Sequence, residues 1–183
     1  DSRHPYFALP GFEAALSPKF LANLQRCARK AGGIELERIA IPDRAAFDEA
    51  LEIEAKAWKR AAGTSIEADP RATHLFRALS RLLGRRHHGA LYFLRAAGRR
   101  IATLFAIEDD HSLCALKIGY DPDFANLSPG HLLVWKVAAD AAARGLKELD
   151  FVGREDDWKR KWTNRVHPHI ALSVYRGPIG LAR

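Results

Sequence analysis

Residues 128–132 follow a strand-like run and open a strongly apolar helical pattern. Backbone N–H groups in the first turn of a helix have no partner within the helix, so they favour an anion. A glycine in that turn lets a phosphate approach the backbone closely. The candidates for binding a phosphorylated cofactor are therefore Ser128, Pro129, Gly130, His131 and Leu132. The alternative is ordinary helix initiation, because Ser at the N-cap and Pro at the first helical position are common start signals.

A lysine and a tyrosine lie near the end of the strand-like segment before this loop. An unpaired lysine is costly to bury, so Lys117 needs a carboxylate partner. The candidates are Asp150, Asp121 and Glu54. Lys117 and Tyr120 are three positions apart and point to opposite faces of a strand unless a bulge intervenes. The alternative for Lys117 is an edge-strand lysine whose ammonium reaches water.

Two further carboxylates could take part in proton transfer. Asp150, at the start of a later strand, could act as a base or orient Lys117, or it could simply cap nearby amides. Glu54 lies four positions before Trp58, so the two are neighbours on one helix face. The alternative for this pair is an exposed carboxylate beside a core tryptophan.

Spacing argues against several common sites. His167 and His169 point to the same side of a strand, but no third ligand has recognisable spacing, and Cys114 is isolated, so we predict no metal site. The sequence has no G-x-S-x-G elbow, no G-x-x-x-x-G-K-[ST] and no G-x-G-x-x-G. This argues against serine hydrolysis and against the common nucleotide and dinucleotide sites.

The elements that position these residues follow from hydrophobic periodicity and turn residues. The first 18 residues are predicted to form a loop with a short helical turn. Helices are predicted over 19–30, 44–62, 70–83, 131–144 and 155–163, and strands over 34–41, 90–95, 99–107, 112–120, 149–152 and 170–176. This order predicts an α+β fold with a mixed sheet: an antiparallel meander, then α-β-α-β with one parallel crossover and helices on both faces.

The composition indicates which partners and which cellular compartment to expect for the protein. A net charge of +7 over 183 residues favours a polyanionic partner, or else reflects an Arg-rich composition. Two cysteines outside any spaced motif fit a reducing compartment. No apolar run approaches the roughly 20 residues of a membrane-spanning helix, and no signal peptide is visible. We therefore predict a cytoplasmic protein without a transmembrane segment.

A meander followed by a helix with an anion-binding start and then a strand resembles the GNAT superfamily of acyltransferases. More narrowly, the chain is similar to the branch once linked to cellulose and exopolysaccharide biosynthesis, whose members usually carry two GNAT-like lobes. The resemblance runs from about Lys19 almost to the C-terminus. It is carried by Glu54, Trp58, Lys59, Gly63–Thr64–Ser65, Lys117-Ile-Gly-Tyr-Asp121, Ser128–Pro129–Gly130, Asp150–Phe151 and Trp158-Lys159-x-x-Trp162.

The sequence departs from the family pattern in two places. The usual GNAT phosphate loop is richer in Gly and basic residues than Ser-Pro-Gly-His. The family often has Tyr-Lys where this chain has Trp158–Lys159, which removes one candidate phenol acid.

The resemblance implies an acyl-CoA donor, held through its pyrophosphate at residues 128–132, and no metal. It also implies central strands that splay apart, with a bulge near Lys117. Transfer to an amine needs a proton acceptor and a stabilised thiolate, for which the catalytic candidates are Lys117, Tyr120, Asp150, Glu54 and Lys159. The predicted function is N-acyl transfer to a small-molecule, lipid or saccharide amine, in bacterial polysaccharide biosynthesis.

The resemblance divides the chain into a connector helix and strand at 1–43 and a catalytic lobe at 44–183. The sequence starts at Asp1 and contains no Met, so we expect an upstream GNAT-like lobe to precede it in a longer protein. Two alternatives stay open. One is a Fem-type transferase whose donor is aminoacyl-tRNA. The other is a non-catalytic lobe that binds a polyanion such as RNA through Arg85–Arg86 and Arg99–Arg100.

Overall fold

The computed structural model describes residues 2–56, 65–85 and 88–169, which form seven strands, six α-helices and two 3-10 helices. The strands are β1 (Ser2–Ala8), β2 (Glu35–Ile39), β3 (Gly89–Ala96), β4 (Arg99–Glu108), β5 (Ser112–Tyr120), β6 (Glu148–Asp150) and β7 (Val166–His169). The α-helices are α1 (Phe12–Ala15), α2 (Pro18–Lys30), α3 (Arg44–Ala55), α4 (Pro70–Arg85), α5 (Pro129–Ala143) and α6 (Asp157–Arg160). The 3-10 helices are Ile66–Ala68 and Pro122–Leu127.

The seven strands form one sheet in the order β2-β3-β4-β5-β6-β1-β7. β5 and β6 pair in parallel, and the other neighbouring pairs are antiparallel. Local turns set the meander from β3 to β5. Ala97 and Gly98 have φ values of 49° and 75°, which suits a two-residue hairpin turn. The mixed α/β sheet with one parallel crossover confirms the predicted fold class.

Helices pack on both faces of this sheet because successive strand residues point to opposite sides. On one face, Tyr92 and Leu94 of β3 belong to a core that includes residues of α2 and α5. On the other face, Leu91 and Phe93 pack with residues of α3. The core is thus two apolar layers separated by the sheet.

Three of the α-helices begin at side-chain caps, and the cap of α4 is Asp69, whose Oδ1 accepts the N–H of Arg71 at 2.8 Å. The Ser17 hydroxyl accepts the N–H of Phe20 at 3.2 Å ahead of α2, and the Asp43 carboxylate accepts the N–H of Ala46 at 2.8 Å ahead of α3. Such caps satisfy N–H groups that the helix itself leaves unpaired. α5 begins differently, as described with the site below.

The N-terminal segment was predicted to be a loop, and this is wrong for residues 2–8. β1 pairs with β7 through residues 2–5 and with β6 through residues 6–8. Pro5 lies where β1 changes partner, and its carbonyl accepts the N–H of Phe151 at 2.9 Å. Three prolines and a glycine among residues 1–18 argued for a loop, but the partners that make residues 2–8 a strand lie far along the chain. The predicted short helical turn corresponds to α1.

Other elements differ in their limits. The helix predicted over 44–62 ends at Ala55 in α3, and residues 57–64 lie outside the described residues. α4 continues through Gly84, the predicted stop, to Arg85. The helix predicted over 155–163 is confined to Asp157–Arg160. The strand predicted over 170–176 lies outside the described residues, and β7 precedes it.

Residues 2–43 contribute β1, α1, α2 and β2 to the same sheet and core as the later elements, and residue 43 falls between β2 and α3. Among the helices of the described residues, none is both long and apolar enough to cross a membrane.

Candidate active site

The site lies where β5 and β6 separate. The two strands pair only from Ser112 to Cys114 and from Glu148 to Asp150. β5 then continues to Tyr120, whereas β6 ends, and the chain turns away at Val152 with a φ of 47°. A cavity of about 430 Å³ opens at this splay. Its lining residues are Glu54, Lys56, Ile118, Gly119, Tyr120, Ala125, Ser128, Pro129, Gly130, His131, Trp158 and Lys161.

The N-terminus of α5 forms one wall of the cavity. Ser128 adopts a left-handed conformation with φ 53°, and its hydroxyl does not cap the helix. The N–H of Leu132 donates to the Ser128 carbonyl at 3.1 Å. The N–H groups of Gly130 and His131 have no hydrogen-bond acceptor among the residues that the structure describes. Two backbone donors at the positive end of a 15-residue helix therefore point to an anion site.

The five predicted cofactor-binding residues thus divide by position. Ser128, Pro129, Gly130 and His131 line the cavity. Leu132 is fully buried in the core, and Pro129 has no N–H to offer. The donors are therefore the backbone groups of Gly130 and His131.

His131 is held in an aromatic cluster. Its Nδ1 lies 3.1 Å from Nε1 of Trp162, which donates to it, and its ring packs edge-on against Phe20 at 5.1 Å. Burial, and then the positive charge of Lys161, lower the pKa of His131 to about 4. At neutral pH the imidazole is therefore uncharged, and Lys161 supplies a positive charge at this wall of the cavity.

Glu54 lies on the opposite side of the cavity, where it is fully buried on α3. Its Oε2 accepts the N–H of Ile66 at 2.9 Å, and its Oε1 lies 3.7 Å from Nζ of Lys117. Of the three carboxylates considered from the sequence, Glu54 thus forms an ion pair with Lys117.

Asp121 takes different partners. Its Oδ2 accepts a hydrogen bond from Lys56 Nζ at 2.7 Å and lies 3.8 Å from Arg99 Nη2. Burial alone would raise the pKa of Asp121, but the hydrogen bonds from Lys56 and the Asp123 N–H, and the charges of Lys56 and Arg99, outweigh it and lower that pKa. Lys56, which also lines the cavity, is thereby fixed at its rim.

β5 does contain a bulge, but at a different place from the one needed to bring Lys117 and Tyr120 together. Phe105 pairs with Lys117 and Ala106 pairs with Ala115, so Leu116 is the extra residue. Beyond it the strand alternates normally. Lys117 faces Glu54 on α3, whereas Tyr120 lies beside Gly130 of α5. The two candidates therefore stand on opposite faces of the sheet.

Gly119 allows α3 to approach β5. A Cβ atom at Gly119 would lie 2.5 Å from the Cα of Glu54, which is not tolerated without movement of the backbone. Gly119 was not among the candidates selected from the sequence. The available signal was an isolated glycine within an apolar strand, which often marks close backbone approach.

Asp150 and Lys159 lie near the end of β6. Asp150 is buried, and its Oδ1 accepts the N–H of Val152 at 2.6 Å. The Lys159 ammonium is also buried and donates to the carbonyls of Val152 and Arg154 at 2.8 and 2.7 Å. Neither side chain lines the cavity. Both instead hold the turn through which the chain leaves the sheet.

Three further residues carry charge or aromatic surface to the cavity: Lys56, Trp158 and Lys161. Trp158 was noted only for family resemblance, and the two lysines were not selected. Their positions depend on how α3 and α6 pack, which no local motif encodes. Of the other resemblance residues, Trp58, Lys59, Gly63 and Thr64 lie outside the described residues. Within those residues, no group of three His, Cys, Asp or Glu side chains could hold a metal ion.

The sequence profile of the acetyltransferase (GNAT) domain matches residues 18–160. The chain belongs to this family, and the prediction of a GNAT-type acyltransferase domain is confirmed. No curated protein sequence matches the chain. The profile does not distinguish the cellulose-associated branch.

Solved structures share the fold. FemX superposes with a TM-score of 0.70 at 9% identity, covering 87% of this chain and 57% of FemX. A C-terminal domain of a putative lysylphosphatidylglycerol synthetase from Agrobacterium fabrum has a TM-score of 0.53 at 11% identity, covering 82% and 46%. An aminoglycoside acetyltransferase from an uncultured soil metagenomic sample, in complex with sisomicin, has a TM-score of 0.54 at 13% identity, covering 79% and 97%. The chain thus spans about half the length of the first two.

Proposed function

We propose that the protein transfers an acyl group from a phosphorylated thioester, such as acyl-CoA, to an amine. The observation that carries this proposal is the single cavity at the splay. It joins two unpaired N–H groups at the start of α5 to the buried carboxylate of Glu54. A donor anchored by its phosphates at one end of the cavity can thus present its thioester toward a proton acceptor at the other.

The donor end of the cavity can bind an anion although His131 is uncharged. Gly130 and His131 offer backbone N–H groups, the α5 dipole favours negative charge, and Lys161 adds a cation. Gly130 leaves room over these groups, because even a Cβ there would lie 3.6 Å from its nearest neighbour, Tyr120 Cδ1. A pyrophosphate could therefore contact the backbone directly.

The reaction requires a neutral amine, whose nitrogen attacks the thioester carbonyl carbon. The C–N bond forms, the C–S bond breaks, and the thiolate leaves. The proton lost from nitrogen passes to Glu54, directly or through water. Lys117 lies beside Glu54 and orients that carboxylate, while Tyr120, on the α5 side, lies near the donor and is placed to protonate the thiolate. Asp150 and Lys159 position the β6 end of the splay.

Calorimetric titration with acetyl-CoA and with a long-chain acyl-CoA tests the donor site. The parent chain is expected to bind one of them in the micromolar range. Gly130→Asp places a carboxylate over the N–H groups and should abolish binding. Ala22→Asp, an equal charge change at an exposed position on α2, should bind like the parent. Failure of the parent to bind either thioester, or equal binding by Gly130→Asp, would contradict the proposed donor site.

A second candidate donor is an aminoacyl-tRNA, as in a Fem-type transferase. The fold shared with FemX over 87% of this chain supports this second candidate. Saturating acetyl-CoA should protect the N–H groups of α5 from hydrogen exchange under our proposal. Protection by aminoacyl-tRNA but not by acetyl-CoA would instead select the Fem-type reaction.

A further inference from the structure

The outer face of α4 is a continuous exposed stripe that does not belong to the cavity lining. Its members recur at three- and four-residue spacing, so they share one side of the helix. These exposed residues are Arg71, His74, Leu75, Ala78, Arg81, Leu82 and Arg85. The opposite side of α4 packs on the sheet through partly buried Phe76. We call the exposed stripe the α4 face.

The α4 face is cationic and lacks carboxylates. Within the described residues, Arg71, Arg81 and Arg85 make no ion pair with their side chains. Asp48, which packs against this helix, is already engaged by Arg77 at 2.7 Å and by Arg44 at 3.3 Å. Three guanidinium groups are therefore left to an anionic partner.

The same face exposes large apolar side chains. Leu75 and Leu82 are each 54% exposed, and the third large exposed hydrophobic residue of the described chain is Ile41 at 52%. The two leucines lie two turns apart with Ala78 between them, so they form an apolar line flanked by arginines. A shallow depression of about 380 Å³ runs beside it, lined in part by His74, Arg81 and Arg85.

The combination of exposed arginines and exposed leucines favours one class of polyanionic partner over another. A nucleic acid would use the arginines and favour aromatic side chains for stacking, but exposed leucines add nothing to it. A bilayer of anionic lipids can bind both kinds of side chain. The arginines contact the lipid phosphates, and the leucines enter the boundary between headgroups and acyl chains.

We propose that the α4 face docks on an anionic lipid surface. Docking stands independently of the acyl-transfer proposal, since neither leucine nor the three arginines line the cavity. Docking through the α4 face would also bring the lipid surface near the candidate active site. Thr73 Oγ1 donates to the Ile66 carbonyl at 3.0 Å, and the Ile66 N–H donates to Glu54. The first turn of α4 is thereby tied to the buried carboxylate.

Co-sedimentation with lipid vesicles tests the proposal directly. The chain should bind vesicles of phosphatidylcholine mixed with phosphatidylglycerol, and should not bind vesicles of phosphatidylcholine alone. Reversing three charges with Arg71→Glu, Arg81→Glu and Arg85→Glu should weaken binding by roughly a hundredfold or more, since each basic residue contributes at an anionic surface. Leu75→Ser with Leu82→Ser should weaken it by about tenfold through lost apolar insertion.

The matched control reverses three exposed charges on α2, with Arg26→Glu, Arg29→Glu and Lys30→Glu. This variant has the same net charge as the α4 triple variant and should bind vesicles nearly as the parent does. An equal loss in both triple variants would overturn the proposal, because net charge alone would then explain binding. So would an absence of binding by the parent, or full binding by the leucine variant. An RNA oligonucleotide that bound parent and leucine variant equally, and displaced the vesicles, would assign the face to nucleic acid.

Discussion

Gly119 of β5 lies directly against the backbone of Glu54 on α3. The Cα of Glu54 would be 2.5 Å from any Cβ placed at Gly119, and the Glu54 side-chain carbons would lie at 3.0 and 3.2 Å. This contact brings the buried carboxylate to the splayed end of the sheet. The position of the proposed proton acceptor therefore depends on the absence of a side chain on the neighbouring strand.

Gly119→Ala should destabilise the protein by ~2 kcal/mol, the usual scale of overpacking, because the nearest atom is backbone and cannot rotate away. Gly130→Ala is the matched control, since its Cβ would meet only an ordinary contact at 3.6 Å. Urea unfolding followed by circular dichroism measures both free energies. Equal stability of the two variants would show that α3 moves away from β5 without penalty.

Glu54→Gln should lower kcat by roughly a hundredfold, the scale of general-base assistance, because an amide cannot accept the proton. The amide oxygen can still accept the Ile66 N–H, so the fold should persist. Turnover is measured as thiol release from acetyl-CoA, with the fastest acceptor from a panel of primary amines. Glu52→Gln, exposed on the same helix, should behave as the parent. A parental turnover number for Glu54→Gln would remove Glu54 from the proton path.

His131 should make stability depend on pH. Its pKa is lowered by burial to about 4 in the folded state, against about 6.5 in an unfolded chain. The unfolded state therefore takes up the proton first as pH falls, so this contribution is present above about pH 6.5 and is lost between that value and about pH 4. Between pH 7.5 and pH 5 the loss should be about 2 kcal/mol.

His131→Gln supplies the comparison, because its amide oxygen can still accept from Trp162. The stability of the variant should lack the pH dependence that His131 contributes. It should keep the pH dependence that the carboxylates contribute. Urea midpoints at the two pH values give the difference. Parallel stability curves for parent and variant would mean that His131 titrates normally.

Glu108 should matter for stability but not for donor binding. It lies at the far end of α5 from the cavity, where its buried carboxylate accepts hydrogen bonds from Arg144 at 2.7 Å, Arg38 at 3.0 Å and the Tyr92 hydroxyl. Burial alone would raise its pKa, but these hydrogen bonds outweigh it, and the pKa is lowered. The ionised carboxylate therefore stabilises the fold at pH values above the ordinary pKa of a glutamate. That stabilisation is lost as the pH falls through the lowered pKa.

Glu108→Gln removes the charge partner of Arg38 and one of the two carboxylates that pair with Arg144, so it should cost about 3 kcal/mol, as for other broken buried pairs. Calorimetry with acetyl-CoA should give a parental affinity at temperatures where the variant is folded. The matched control is Glu35→Gln at an exposed position of β2, with a small effect on stability. A large loss of donor affinity in Glu108→Gln would show that the two ends of α5 are coupled.

The sequence predicted the parts of the fold that depend on neighbours in the chain. The β3–β4–β5 meander follows from two short turns, and the start of α5 follows from Ser128 and Pro129. β1 was missed because its pairing with β6 and β7 is distant in sequence. The prolines of the segment gave a local signal for a loop, and tertiary pairing overrode it.

The candidate site was predictable to the same extent. The start of α5, proposed to bind an anion, is encoded by neighbouring residues, whereas the candidates for the partner of Lys117 could only be narrowed to three carboxylates. The choice of Glu54 depends on the packing of α3 against Gly119, and the fate of Lys159 depends on carbonyls exposed by the turn after β6. Such relationships between separate elements leave no pattern along a single chain.

β1 has a consequence for the order in which the protein assembles. Its partners β6 and β7 lie more than a hundred residues further along the chain, so during synthesis β1 leaves the ribosome long before either partner exists. Trp158 and Lys161, which belong to the cavity, follow β6 and emerge equally late. The nascent chain therefore carries β1 with an open edge until β6 and β7 have been synthesised, which makes this segment a natural binding site for a chaperone.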